Sequence, residues 1–195
     1  MRTIIMLILT VLGLALQPLS AQNTEGSDNY KYYKAVELLD EGGDPQEARK
    51  LAVENIKANP KHIDSYLLIA GIDRREADYA SALRQIEQAM KNNHRDSGFS
   101  EALLLWWKAI IYDELGNTRK AVDTMEQVVK MARKTDKEHL VSMMENLAQF
   151  RYDLKEYDAS DAVYREIMKI DESTLLPRIG LARNLIARER YDEAL

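Results

Sequence analysis

The 195-residue chain contains no cysteine, only four prolines and only eight glycines. The absence of cysteine excludes disulfide bonds, so its stability has to come from packing alone. The scarcity of proline and glycine argues against an all-β protein, because a chain of this length with many short strands needs many tight turns. The composition therefore favours helices.

The chain also lacks an excess of positive charge. Its 27 Lys and Arg residues are outnumbered by 32 Asp and Glu residues, which gives a formal net charge of -5. A protein that binds nucleic acid usually carries a basic face, so we expect no nucleic-acid partner. What the chain does contain is 46% hydrophobic and 30% charged residues, a balance typical of a globular protein with a buried core.

Residues 1–21 have the pattern of a secretory signal peptide. Arg2 precedes an apolar run from Ile4 to Leu16, and Ala21 leads into a polar stretch. The run is shorter than the roughly 20 residues that span a bilayer, so a permanent membrane anchor is the weaker alternative. We expect cleavage after Ala21, a linker over residues 22–28, a periplasmic or secreted protein, and no membrane insertion after cleavage.

The rest of the sequence repeats itself. Five similar stretches align on a central small residue, and the intervals between these residues are 34, 39, 39 and 34; the five are Ala48, Ala82, Ala121, Ser160 and Ala194. Such a period indicates stacked pairs of helices joined by tight turns. The two longer intervals predict an extension of a helix or loop near Asn92–Phe99 and another near Met131–His139.

Turn signals divide each repeat into two helices. The predicted turns lie at Gly42–Pro45, Ala77–Asp78, Gly116–Asn117, Lys155–Glu156 and Glu189–Arg190. They define five repeats with ten helical segments over residues 29–60, 61–94, 99–135, 136–173 and 174–195. The last repeat is incomplete, because its second helix has only begun when the sequence ends.

These residues resemble the tetratricopeptide repeat. The second repeat fits that family's pattern best, through Tyr66, Ile69, Ala70, Tyr79, Ala82, Ile86 and Ala89. The other repeats share the small residues and several aromatic positions, while Ser160 replaces the usual alanine. The resemblance covers residues 29–195 and implies an all-α protein, an α-solenoid of stacked helix-turn-helix repeats.

The sequence ends with the letters RERYDEAL, residues 188–195, which read as the start of a helix. Solenoids normally end in a capping helix with a polar outer face. We therefore expect the sequence to be the N-terminal part of a longer repeat protein, with the apolar face at Leu181 and Leu185 lacking its full partner. The alternative is a natural chain that ends in a frayed helix.

No catalytic motif is found in the sequence. It has three histidines, but no glycine-rich phosphate loop, zinc-protease motif or nucleophile elbow. His62 and His94 stand at equivalent ends of successive repeats, where a loop or cap role is favoured over metal binding because further ligands with suitable spacing are missing. We expect no enzyme activity, no catalytic residues, no cofactor and no metal.

The resemblance implies that the first helix of each repeat lines a concave groove. The candidate contact residues are Tyr33, Glu37, Asp40, Leu67, Gly71, Arg74, Arg75, Trp106, Trp107, Ile110, Glu145, Gln149 and Tyr152. We expect the main contact strip to cross repeats two and three, from Leu67, Arg74 and Arg75 to the Trp pair and Ile110. Adjacent helical residues point about 100 degrees apart, so we expect at least one Trp to remain partly exposed; the alternative is that both lie in the core.

Two hypotheses of function follow. The first is an exported scaffold that holds an unknown protein or peptide partner in its groove. The alternative is the N-terminal arm of a larger envelope enzyme or sensor, whose catalytic or signalling part lies beyond residue 195. The downstream reading frame discriminates between them, because further repeats favour the scaffold.

Overall fold

The computed structural model describes residues 29–94 and 99–189. These residues contain nine α-helices and no strand, divided between two compact units, Met1–Phe99 and Ser100–Leu195. We call them the N-terminal and the C-terminal unit. The predicted signal peptide over 1–21, the linker over 22–28 and the start of a helix over 190–195 lie outside the described residues.

The N-terminal unit consists of four helices. They are α1 (Tyr30–Asp40), α2 (Pro45–Ala58), α3 (Ile63–Arg75) and α4 (Tyr79–Asn92). Consecutive helices pack against each other, α1 on α2, α2 on α3 and α3 on α4, so the unit is two stacked helix-turn-helix repeats.

The C-terminal unit consists of five helices. They are α5 (Glu101–Glu114), α6 (Thr118–Thr135), α7 (Leu140–Asp153), α8 (Tyr157–Ile170) and α9 (Leu176–Ala187). They again pack in sequence, and α9 also contacts α7. The unit therefore holds two complete repeats and the first helix of another, and the predicted all-α class of stacked helix-turn-helix repeats is confirmed.

Short polar side chains begin several of these helices. Asp44, Asp78 and Asn117 precede second helices and Ser100 precedes α5; each accepts a hydrogen bond from a backbone N–H in the first turn that would otherwise lack a partner. Pro45 follows Asp44 at the first helical position, where its missing N–H costs nothing. These caps help to define where the helices begin.

The five turns after first helices share one conformation. Each has a residue with a positive φ of 60–81°, and these are Gly42, Ala77, Gly116, Lys155 and Glu189. In the turn after α5, the N–H of Gly116 donates to the carbonyl of Asp113 at 2.8 Å, and the N–H of Asn117 to that of Tyr112 at 2.8 Å. This pair of hydrogen bonds is a Schellman motif. The positive-φ residues lie in the five predicted turns, which are thereby confirmed.

Small residues let the helices of a repeat pack closely. Ala48, Ala82, Ala121 and Ser160 are all buried on second helices. Ser160, which departs from the family's alanine, donates its hydroxyl to the carbonyl of Ala148 at 2.8 Å. The buried hydroxyl is thereby satisfied, so the serine is tolerated at this contact.

The longer interval before repeat four is taken up by a helix. α6 has 18 residues, whereas α2, α4 and α8 have 14 each. The predicted extension near Met131–His139 therefore lies largely in the last turn of α6. The other predicted extension falls in the connection over 93–100, of which residues 95–98 are outside the described part. In the described segments, no helix combines the length and apolar character needed to cross a bilayer.

Candidate functional site

An open cleft of about 270 Å³ lies in the C-terminal unit, where α7, α8 and α9 meet. Three helices supply its walls, so the positions of its side chains are fixed by regular structure rather than by loops. The lining residues are Glu145, Asn146 and Gln149 from α7, Tyr164 from α8, and Leu176, Ile179, Gly180 and Arg183 from α9.

Tyr164 forms the buried floor of the cleft. The missing side chain of Gly180 makes room for its ring, because a Cβ atom added there would overlap the ring carbons of Tyr164. Burial raises the pKa of the Tyr164 hydroxyl, which therefore stays protonated at neutral pH. The glycine thus sets how closely α9 approaches α8.

Arg183 lies along one side of the cleft and contacts two tyrosines. Its guanidinium carbon is 4.0 Å from the centre of the Tyr152 ring, and its Nη2 donates to the hydroxyl oxygen of Tyr164 at 3.3 Å. A guanidinium over an aromatic face is an attractive cation–π arrangement. These two contacts fix the position of the positive charge.

The α7 wall carries three polar side chains. The side-chain oxygen of Asn146 accepts a hydrogen bond from Nε1 of Trp106 at 2.5 Å, while its amide nitrogen makes no hydrogen bond with any described residue. Gln149 donates to both carboxylate oxygens of Asp153, at 2.8 and 3.0 Å. Burial raises the pKa of Glu145. The wall therefore offers one free amide donor and one partly dehydrated carboxylate.

The opposite wall is apolar and open to solvent. Leu176 is 59% exposed and Ile179 is 53% exposed, and both lie on α9. Large apolar side chains at this exposure, next to fixed polar groups, have the character of a binding surface rather than of a core.

The N-terminal unit instead gathers titratable groups at the start of α3. Burial lowers the pKa of His62 to about 4 and raises that of Asp64 to about 6. Nδ1 of His62 lies 2.9 Å from Oγ of Ser65, and its ring packs 4.7 Å from that of Tyr32. Burial also raises the pKa of Tyr33, with Asp64 adding to the shift.

Comparison with known proteins identifies the repeats. Residues 102–135 and 141–174 match the sequence model of the tetratricopeptide repeat, and these two segments coincide with the helix pairs α5–α6 and α7–α8. These two helix pairs are tetratricopeptide repeats. A search of curated protein sequences gives no match.

Several solved tetratricopeptide repeat proteins share the fold. One from Parabacteroides merdae ATCC 43184 superposes with a TM-score of 0.71 at 21% identity, over 86% of this chain and 62% of that protein. The match thus spans less than two thirds of that relative. YrrB, described as having an unusual peptide-binding site, superposes with a TM-score of 0.62 at 11% identity, over 93% of this chain and 89% of YrrB. MamA superposes with a TM-score of 0.66 at 11% identity, over 86% of this chain and 85% of MamA.

The predicted contact residues of the tetratricopeptide repeats are distributed over both units. In the N-terminal unit Leu67 is buried, Tyr33 and Arg74 are half-buried, and Arg75 is exposed. In the C-terminal unit Ile110 and Tyr152 are half-buried. Of the further candidates, Glu145 and Gln149 line the cleft, and Tyr152 stacks on Arg183 beside it.

The expectation that one tryptophan stays exposed is wrong. Trp106 is 3% exposed and Trp107 is 6% exposed. The two side chains do point apart, but α5 is buried around most of its circumference, so both directions lead into packed surroundings. Trp106 is buried and donates a hydrogen bond from Nε1 to the side-chain oxygen of Asn146.

Sequence reasoning missed six of the residues that line the cleft: Asn146, Tyr164, Leu176, Ile179, Gly180 and Arg183. The repeat period contained a signal for two of them. Ile179 and Arg183 stand 34 residues after Glu145 and Gln149, so the same register applied to α9 finds them. Over the described ranges 29–94 and 99–189, no three metal-ligating side chains come together as a metal site would require.

Proposed function

We propose that the protein is an interaction scaffold and that its C-terminal unit binds an extended peptide segment of a partner protein in the cleft between α7, α8 and α9. Tetratricopeptide repeat proteins bind other proteins or peptides, which supports this class of function. The observation that carries the proposal for this chain is the open cleft itself, with apolar α9 residues facing polar α7 residues.

The cleft has the two properties that a peptide site needs. Exposed Ile179 and Leu176 offer apolar area to a ligand side chain, and burying such area is the main source of binding free energy. The free amide nitrogen of Asn146 offers a donor to a backbone carbonyl of the ligand. An extended segment presents both groups at once.

The fixed geometry of the cleft lowers the cost of binding. Trp106 orients Asn146, Asp153 orients Gln149, and the two tyrosines orient Arg183. Side chains that are already ordered lose little conformational entropy when a ligand arrives. YrrB is described as having an unusual peptide-binding site, but at 11% identity that likeness supports only the fold, and peptide binding by this chain belongs to the proposal.

A phage library of random short peptides tests the proposal. The full chain should enrich specific peptides, and Ile179→Asp should weaken their binding by about tenfold or more, because a carboxylate replaces the apolar contact. Ile170→Asp is the matched control: Ile170 is 48% exposed on α8 but lies outside the cleft lining. No enrichment, or equal loss in both variants, would contradict the proposed site.

We also propose that the protein is exported, on the pattern of residues 1–21. Expression with its natural N-terminus in a bacterial host, followed by fractionation and mass spectrometry, checks this proposal. The expected result is a periplasmic or secreted protein that begins at Gln22. Cytoplasmic material that retains Met1 would contradict it.

A further inference from the structure

The charges around the cleft are of both signs. Glu145 and Asp153 are the carboxylates and Arg183 is the cation that affect the Tyr164 hydroxyl at the floor of the cleft. Two negative groups thus face one positive group. What a ligand meets depends on which of these charges already has a partner within the protein.

Arg183 and Asp153 both have partners. The guanidinium of Arg183 stacks on Tyr152 and donates to Tyr164, so two aromatic groups already stabilise it. Asp153 accepts two hydrogen bonds from the side-chain amide of Gln149. Nε of Arg183 has no hydrogen-bond partner, but it is buried and therefore not open to a ligand.

Glu145 is different. It is half-buried and lines the cleft, yet it makes no hydrogen bond or ion pair with any residue of the described part of the chain. Partial dehydration without a counterion is unfavourable for a carboxylate, and the raised pKa of Glu145 reflects that cost. A cation delivered by a ligand would remove the cost, whereas an anion would increase it.

We infer that the peptide bound in the cleft carries a lysine or arginine side chain beside Glu145, with a neighbouring apolar side chain on Leu176 and Ile179. This inference rests on the proposed function. It assigns the sign of the ligand charge from the carboxylate that lacks a partner, and the apolar requirement from the exposed α9 wall.

Selection of displayed peptides by charge variants of the full chain tests the inference. Wild type should enrich peptides in which Lys or Arg lies next to an apolar residue, and Glu145→Lys should shift the enrichment to Asp or Glu. Glu172→Lys is the control, because it makes the same charge change at an exposed position outside the cleft and should keep the basic preference. If Glu145→Lys does not fold, Glu145→Gln should lose the preference without reversing it.

A synthetic peptide from the wild-type selection then measures how much its basic residue contributes to affinity. Replacing its basic residue with norleucine should weaken binding by about fivefold in wild type and leave binding to Glu145→Gln unchanged. Peptides that require Ile179 but show no basic preference, or an acidic one, would overturn this inference and leave the proposed function standing. Absence of any enrichment that depends on Ile179 would instead overturn both.

Discussion

The two units place a histidine at the same point of their second repeat but surround it differently. His62 precedes α3 and His139 precedes α7. The side chain of His62 is largely buried beside Tyr32, and its Nε2 is 3.8 Å from Oδ2 of Asp64. His139 lies 2.6 Å from Oδ1 of Asp136 through its Nδ1. His62 and Asp64 are therefore close but not hydrogen-bonded, whereas His139 and Asp136 form a hydrogen bond.

The protonation behaviour follows from this difference. In the N-terminal unit, burial disfavours both charges, so the pKa of His62 falls and that of Asp64 rises. In the C-terminal unit, burial alone would raise the pKa of Asp136, but hydrogen bonds with His139 and Ser100 outweigh it and hold the pKa below its ordinary value. At the start of the second repeat, the pKa of the aspartate is therefore raised in the N-terminal unit and lowered in the C-terminal unit.

The largest expected contrast comes from the two helical glycines. Gly180→Ala in the C-terminal unit should destabilise by about 1–3 kcal/mol, because the new methyl group overlaps the Tyr164 ring. Gly71→Ala in α3 meets open space and should stabilise by about 0.5–1 kcal/mol through helix propensity. Urea denaturation of both variants checks the opposite signs. Equal effects would show that α8–α9 packing does not depend on the glycine.

The second contrast concerns the carboxyl group in the N-terminal unit. The pKa of Asp64 is raised to about 6, so its contribution to stability is present below the unfolded pKa and is lost as pH rises through about 6. Asp64→Asn should therefore stabilise the protein by about 1–3 kcal/mol at neutral pH, with no gain below about pH 4.

His62 acts in the opposite direction over nearly the same range. Its pKa is lowered to about 4, so stability is lost as pH falls from the ordinary histidine value toward about 4. The two contributions offset each other in the wild type, and Asp64→Asn should reveal the histidine as a loss of stability on acidification. Urea midpoints measured against pH check this, and parallel curves for wild type and variant would contradict it.

A smaller effect of opposite sign is expected at the matching junction of the C-terminal unit. Asp136→Asn should destabilise by about 1.5 kcal/mol at neutral pH, because it removes a charge that accepts from Ser100 and pairs with His139. Since the pKa of Asp136 is lowered, the deficit should persist above the unfolded pKa and fade as pH falls through the folded value. A deficit independent of pH would show that the charge is not involved.

The smallest expected effects are at the left-handed turn residues. Gly116→Ala in the C-terminal unit should cost about 1 kcal/mol, because a Cβ disfavours positive φ. Ala77→Gly at the same turn in the N-terminal unit should gain a similar or smaller amount, since alanine already bears that strain. Thermal denaturation of both single variants and the double variant checks the signs and their additivity.

The fold was predictable because its determinants are local. Each turn after a first helix is specified by a few consecutive residues, such as Gly116 and Asn117, and the period then places the remaining turns. Even Lys155 and Glu189, which are not glycines, were found in this way. The all-α repeat class follows from the same spacing, and the resemblance to the tetratricopeptide repeat is confirmed over residues 102–135 and 141–174.

The site was less predictable because it depends on contacts between helices. The position of Arg183 is set by Tyr152 and Tyr164, which belong to two other helices. The burial of both Trp106 and Trp107 depends on how much of the α5 surface is covered, which residue spacing within one helix does not reveal. Helical periodicity specifies the direction of a side chain, whereas its exposure depends on the helices that pack around it.

The most direct test of the peptide-binding cleft is an NMR titration of the full chain with isoleucine methyl groups labelled, using a peptide selected by the wild-type protein. The methyl signal of Ile179 should shift strongly, because Ile179 is exposed and lines the cleft. The signal of Ile170, similarly exposed on α8 outside the lining, should stay in place. Shifts confined to Ile170 or to isoleucines of the N-terminal unit, with Ile179 unchanged, would contradict a binding site between α7, α8 and α9.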